Sequence, residues 1–182
     1  MKIETLVVGQ MATNCYIVGD AIIDPGDDPE YIISHLSSKP KMIVATHGHF
    51  DHIMAAFAIQ KAYNIPFYIH KDDIFLLRSM QSSAKHFLGL KDVDPPPKPA
   101  PIQHLPFIHT PGHTPGSICL LFGDALFVGD TIFAGGAVGR TDYSYSDPLK
   151  LSESIKKILL YPPQTRILPG HGEETILHSL VK

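Results

Sequence analysis

Short apolar runs separated by turn residues dominate the first part of the chain. Residues 3–8, 15–18 and 21–23 each predict a strand, and Asp24-Pro25-Gly26 ends the third. A helix should follow as far as Leu36, capped by Asp28 or its neighbour, with Ile32, Ile33 and Leu36 sharing one face. Residues 42–45 predict a buried strand, the Ala-rich stretch 53–63 a helix, 67–69 a strand and 71–80 a helix. The pattern changes over 82–101, where Pro95, Pro96, Pro97, Pro99 and Pro101 predict an irregular loop, either a lid over a cleft or a plain connector. Strands resume at 103–109, 117–122 and 125–128. The stretch 148–160 predicts a helix that buries Leu151, Ile155, Ile158 and Leu159; a last strand at 166–168 and a short helix from Glu173 complete the chain. Strands then helices, followed by strands then helices again, predict an α/β protein of two similar halves, each a sheet covered by helices. No stretch has the composition of a linker, so one domain over 1–182 is expected, and no repeat at solenoid spacing is visible.

Composition narrows the function classes. A chain of 182 residues with 44% hydrophobic and 18% charged residues suits one globular domain with a sizeable core. A net charge of -3 disfavours nucleic acid as a partner, because binders of the phosphate backbone carry a basic field. No apolar run approaches the roughly 18 residues that a membrane span needs. Lys2 is followed by Glu4, and Gly9 and Gln10 interrupt the apolar residues, so no secretory signal is expected. The two cysteines, Cys15 and Cys119, lie in apolar strands; they predict small core residues and a reducing, cytoplasmic compartment. Eleven histidines and no tryptophan direct attention to metal ligands.

The run Thr46-His47-Gly48-His49-Phe50-Asp51-His52 places four candidate ligands directly after a buried strand. Imidazole and carboxylate suit zinc, iron and manganese alike. Four such groups, with the later ones, exceed the needs of one tetrahedral ion, so His47 and His49 should aim one way and Asp51 and His52 the other. The remaining candidates are His113, Asp130 and His171, each beside a glycine where an apolar strand ends. Seven ligands make two sites if one is shared, and a carboxylate with two oxygens is the natural bridge. Site one would then be His47, His49, His113 and Asp130; site two would be Asp51, His52, His171 and Asp130. Asp24 either fixes a ligand imidazole from behind or only shapes its turn. Arg140 either binds a substrate carboxylate or forms a structural salt bridge, and Tyr143 and Tyr145 are expected to be surface or packing residues. His35, His70, His86, His104, His109 and His178 lack a ligand context.

These residues resemble the metallo-β-lactamase superfamily, whose hallmark is His-x-His-x-Asp-His. The resemblance covers nearly the whole chain: Asn14-Cys15-Tyr16, Asp24-Pro25-Gly26, 46–52, 110–117, 129–131, 139–142 and 169–172. It is nearest to the small glyoxalase II-like, hydroxyacylglutathione hydrolase-like branch. The fold implied is an αββα sandwich, two facing mixed sheets with outer helices and metals at one edge. Aspartate at position 130 implies a bridging carboxylate where the commonest β-lactam-cleaving relatives use cysteine. Standard glyoxalase II continues into a C-terminal helical domain that supplies basic residues for glutathione, whereas this sequence ends eleven residues after His171. The tyrosine that those enzymes place after the last ligand is replaced by Gly172 and Glu173, and Arg140 lies one residue further from Asp130 than the corresponding basic residue.

The resemblance implies hydrolysis of a small thioester such as S-lactoylglutathione. Two divalent ions, zinc before iron or manganese, would acidify a bridging water whose hydroxide attacks the carbonyl. Asp130 would hold the ions together, and Asp51 would orient the nucleophile besides acting as a ligand. The nearest rival is a persulfide dioxygenase with one iron ion, and lactone hydrolysis on the same core is a third reading. A closed structural metal site is disfavoured, since such sites are typically Cys-rich. Acyl group, thiol carrier and oligomeric state stay open.

Overall fold

The computed structural model describes residues 2–102 and 105–180, and these two stretches each form a compact unit. Each unit holds one mixed sheet with its own helices.

In the first unit the sheet order is β1 (Ile3–Val8), β2 (Thr13–Val18), β3 (Ala21–Ile23), β4 (Met42–Val44), β5 (Phe67–Tyr68) and β6 (Pro99–Ala100). The first three pair antiparallel through short turns, and β3 to β6 run parallel. Edge strand β1 buries Leu6 and Val8 and exposes Val7, as alternation on a half-solvated strand requires. Strands β2 and β3 are buried throughout. Parallel neighbours need crossovers, and these are helical. Helix α1 (Pro29–Ser34) links β3 to β4, α2 (Phe50–Ile53) and α3 (Ala56–Tyr63) link β4 to β5, and α4 (Ile74–Leu77) and α5 (Met80–Leu88) link β5 to β6. Ile22, Ile32, Ile43, Ile53, Ile59, Phe67 and Met80 form the centre of this unit's core.

In the second unit the order is β11 (Thr175–Ile176), β10 (Arg166–Pro169), β9 (Ala125–Gly129), β8 (Ile118–Phe122) and β7 (Phe107–His109). Only β9 and β10 pair parallel, and α6 (Pro148–Ile158) is the crossover between them. Asp147 caps α6 by accepting from the amides of Leu149 and Lys150, and Pro148 occupies the first turn, where its missing N–H costs nothing. Leu126, Val128, Ile158 and Ile167 lie at the centre of the second core.

Several sequence expectations are corrected. The helix expected over 53–63 begins three residues earlier, at Phe50, and breaks at Met54 and Ala55 into α2 and α3. The helix expected over 71–80 divides into a 3-10 turn at Lys71–Asp73 and α4, and α5 then continues to Leu88 inside the stretch expected to be a loop. The loop reading of 82–101 rested on prolines that begin only at Pro95; Met80 and Ala84, four residues apart, are both buried on one face of α5. Pro99 and Pro101 flank or enter an edge strand, where a missing donor is tolerated. Asp28 precedes α1 but makes no capping bond; its carboxylate accepts from the Gly9 amide instead. Leu159 is 37% exposed rather than buried, because α6 ends at Ile158. The helix expected from Glu173 is β11 and a 3-10 turn at Leu177–Leu180. Of the strand expected over 103–109, residues 107–109 are observed, whereas Gln103 and His104 lie outside the described residues. No helix among the described residues is long and apolar enough to cross a membrane.

Candidate metal centre

In the first unit the four ligand candidates occupy the junction between β4 and α2. His49 stands at the N-cap of α2 in extended conformation, and Asp51 and His52 lie in its single turn. His47, Asp51 and His52 are buried. His47 Nε2 lies 3.1 Å from His49 Nδ1, and His52 Nε2 lies 3.6 Å from Asp51 Oδ2. The His47 and His52 rings are 4.1 Å apart between centroids.

A buried network behind this run decides which nitrogen each ring offers. Asp24 Oδ1 accepts from the Thr46 amide at 2.6 Å, and Oδ2 accepts from the Thr46 hydroxyl at 2.6 Å and from His52 Nδ1 at 3.0 Å. A carboxylate only accepts, so His52 carries its proton on Nδ1 and turns the Nε2 lone pair away from Asp24. The Thr46 hydroxyl has donated to Asp24, so at 3.2 Å it accepts from His47 Nδ1, which leaves His47 Nε2 as a lone-pair donor too. The sequence left Asp24 with two roles; the geometry links both Asp24 and Thr46 to the imidazoles. Thr13, at the start of β2, reaches Asp51 Oδ2 at 3.5 Å, a contact the sequence does not reveal.

In the second unit two of the remaining candidates stand at the C-terminal ends of strands and the third lies in a loop. Asp130 follows β9 and His171 follows β10 by one residue. The parallel pairing sets these ends side by side, and the Gly170 amide bonds the Gly129 carbonyl at 2.9 Å. His113 sits in the loop between β7 and β8. One oxygen, Asp130 Oδ2, lies 3.6 Å from His113 Nε2 and 3.7 Å from His171 Nε2. His113 Nδ1 donates to the Arg140 carbonyl at 2.8 Å, so its Nε2 also presents a lone pair. Gly139 is required beside it: a Cβ there would collide with the Asp130 carbonyl and come within 2.9 Å of His113 Nδ1.

The donor set fits a divalent cation. Two ligands about 2.0–2.1 Å from one tetrahedral zinc are roughly 3.3 Å apart. The observed spacings within the units, 3.1, 3.6, 3.6 and 3.7 Å, are of that size. Imidazoles held through Nδ1, as at His47, His52 and His113, and short carboxylates are the chemistry such an ion takes.

The other candidates behave differently. Arg140 is exposed and forms a two-bond pair with Asp142, Nε donating to Oδ1 at 2.6 Å, while its guanidinium lies 4.6 Å from the centre of the Tyr143 ring. Arg140 in turn pushes the Asp142 carboxyl down to about 2. Tyr143 stacks on Tyr145 at 5.2 Å. Burial pushes the Cys119 thiol up to about 12 and raises that of Cys15 well above its ordinary value, so neither is a nucleophile near neutral pH. Another buried group escaped the sequence reading: Asp73, which accepts from the Gly48 amide at 2.9 Å. An aspartate at a helix start reads as an ordinary cap, so no local signal marks it.

Residues 8–171, a span that contains all seven ligand candidates, match the family profile described as the metallo-beta-lactamase superfamily. The probable metallo-hydrolase YqgX of Bacillus subtilis is 35% identical over 96% of this chain and 92% of its own length. The hydroxyacylglutathione hydrolase GloC of Haemophilus influenzae is 32% identical over 97% of this chain and 93% of its own. The solved structure of TTHA1623 in a di-iron-bound form matches with a TM-score of 0.90 at 34% identity, over 97% of this chain and 96% of that one. With its two mixed sheets, its helices and its imidazole–carboxylate donors, the chain belongs to the metallo-beta-lactamase superfamily and is a metal-binding hydrolase of that fold.

Proposed function

We propose that the chain is a thioester hydrolase of glyoxalase II type, cleaving a small substrate such as S-lactoylglutathione with two divalent ions. In this reading His47, His49, His113 and Asp130 hold one ion, and Asp51, His52, His171 and Asp130 hold the other. The observation that carries it is Asp130 Oδ2, nearly equidistant from the imidazoles of His113 and His171, which belong to different ions in this assignment. An oxygen so placed suits a shared ligand, and cysteine there would not bridge in the same manner. Zinc is the first candidate; the di-iron form of TTHA1623 makes iron a strong second, and manganese suits the same donors.

Bound ions would supply Lewis acidity and lower the pKa of a water toward neutrality. The chain's own residues do the rest. Asp24 holds the His52 ring through Nδ1, and the Arg140 carbonyl holds His113 in the same way, so both offer Nε2 without reorganisation. Asp51 would serve as a ligand, and its carboxylate would also orient the attacking water. A thiolate leaves readily, so no strong general acid is required. The small-molecule thioester is the expected partner, and the two buried, unbridged thiols suit a reducing cytoplasm. Arg140 can meet a substrate carboxylate through Nε and Nη2 together only by exchanging Asp142 for it.

Metal analysis combined with two assays tests the proposal. Two ions per chain with S-lactoylglutathione cleavage support it; one iron with oxygen uptake on glutathione persulfide overturns it in favour of a dioxygenase. Turnover of lactones but not thioesters would keep the centre and change the substrate.

A further inference from the structure

Asp73 ends the 3-10 turn after β5 and stands at the N-cap of α4, yet its side chain makes no cap bond there. Its carboxylate, with no exposure to solvent, accepts instead from the amide of Gly48, 25 residues away. Sequestering a carboxylate from water is unfavourable unless hydrogen bonds hold the charge, and one of the groups that holds this charge is the peptide between two candidate ligands. Gly48 lies between His47 and His49. It is pinned from a second side as well: a Cβ at Gly48 would stand 2.9 Å from the Asp73 carbonyl oxygen and 2.9 Å from Leu76 Cβ. The peptide that carries both imidazoles is thus seated on the start of α4, with Asp73 as its anchor.

We propose that Asp73 is a positioning residue for the metal centre, fixing the Gly48 peptide so that His47 Nε2 and His49 Nδ1 converge at 3.1 Å on one ion. The inference rests on the two-ion reading above. Asp73 touches neither ion nor substrate; it acts through the main chain between two ligands. Its counterpart in kind is Asp24, which orients a ring directly, but Asp73 sets the spacing of a ligand pair. The loss expected on removing it is of the size typical for groups that orient ligands, roughly 10–100-fold in metal affinity.

The test uses the full chain with Asp73→Ala, Asp73→Asn and Gly48→Ala. Each is titrated with zinc against a chromophoric chelator and with cobalt(II), whose visible absorption reports coordination geometry, and melted with and without metal. Expected is a parent that binds two ions. Asp73→Ala and Gly48→Ala should weaken one of the two by roughly 10–100-fold, with an altered cobalt spectrum and a smaller rise in melting temperature on adding metal. Asp73→Asn, whose amide oxygen still accepts from Gly48, should stay near the parent. A merely structural Asp73 would lower the melting temperature of the metal-free protein while affinity and spectrum held, and that result overturns the proposal while leaving the two-ion reading intact. A parent that binds no metal overturns the underlying reading as well. Should Asp73→Ala fail to fold, Gly48→Ala decides the question by the same readouts, since it displaces the peptide and keeps the carboxylate.

Discussion

The two units assemble their candidate ligands by opposite means. The first takes four from one continuous run at a strand–helix junction, 47–52, and supports them with side chains: Asp24 behind His52, Thr46 behind His47, Asp73 beneath Gly48. The second takes two from neighbouring strand ends and one from the β7–β8 loop, with main chain as the support: the Arg140 carbonyl behind His113, and the β9–β10 pairing that sets Asp130 beside His171. A contiguous run is close in sequence by construction, but its rings must be aimed by groups brought from elsewhere. Dispersed candidates at neighbouring strand ends are gathered by sheet register, and a backbone carbonyl aims the His113 ring.

The difference can be broken at several places. The largest effect is expected from Asp130→Ala, which removes the shared ligand: activity should fall by more than roughly 100-fold, beyond the usual loss for an outer-sphere change, and metal content should drop in elemental analysis. If both ions stay, the bridging assignment is wrong. Asp24→Ala should come next, costing roughly 10–100-fold in metal affinity by chelator competition, because His52 loses the partner of its Nδ1. Arg140→Ala sharpens the contrast. The carbonyl that holds His113 belongs to the backbone and survives the substitution, so metal content should match the parent and any loss should be a raised KM. Equal metal loss in the two variants would contradict the distinction between side-chain and main-chain support.

The smallest effect concerns the buried thiols, one per unit. The Cys119 pKa is raised from 9.0 to about 12 by burial. A folded-state pKa above the unfolded value means stability that is fully present below about pH 9 and is lost as pH rises toward 12. The melting temperature should therefore decline over that window, and Cys119→Ala should make the decline shallower; an unchanged slope would show that the thiol is not the titrating group. Cys15, raised in the same direction, leaves a residual slope.

Much of the fold was legible because strands in these sheets are buried, short and bounded by turn residues, as at Ala21–Ile23 and Ala125–Gly129. Helices were less legible. The start of α2 at Phe50 was hidden because its turn is built around candidate ligands rather than a periodic apolar face. The end of α5 at Leu88 was hidden by prolines further on. The seven candidate ligands were all visible from residue type, spacing and neighbouring glycines. Asp73 was not, since a buried carboxylate and a solvated cap look alike in a sequence.

The order of residues by itself determined the donor types, the tight spacing of 47–52 and the apolar strands that end at Asp130 and before His171. Tertiary structure alone decided which nitrogen each imidazole presents and which buried groups hold the ligand loop in place. The physical reason is that these choices are made by hydrogen bonds between residues 22 to 28 positions apart, from Asp24 to Thr46 and His52, from Asp73 to Gly48 and from His113 to Arg140. Such bonds exist only once packing has excluded water and brought the partners within about 3 Å.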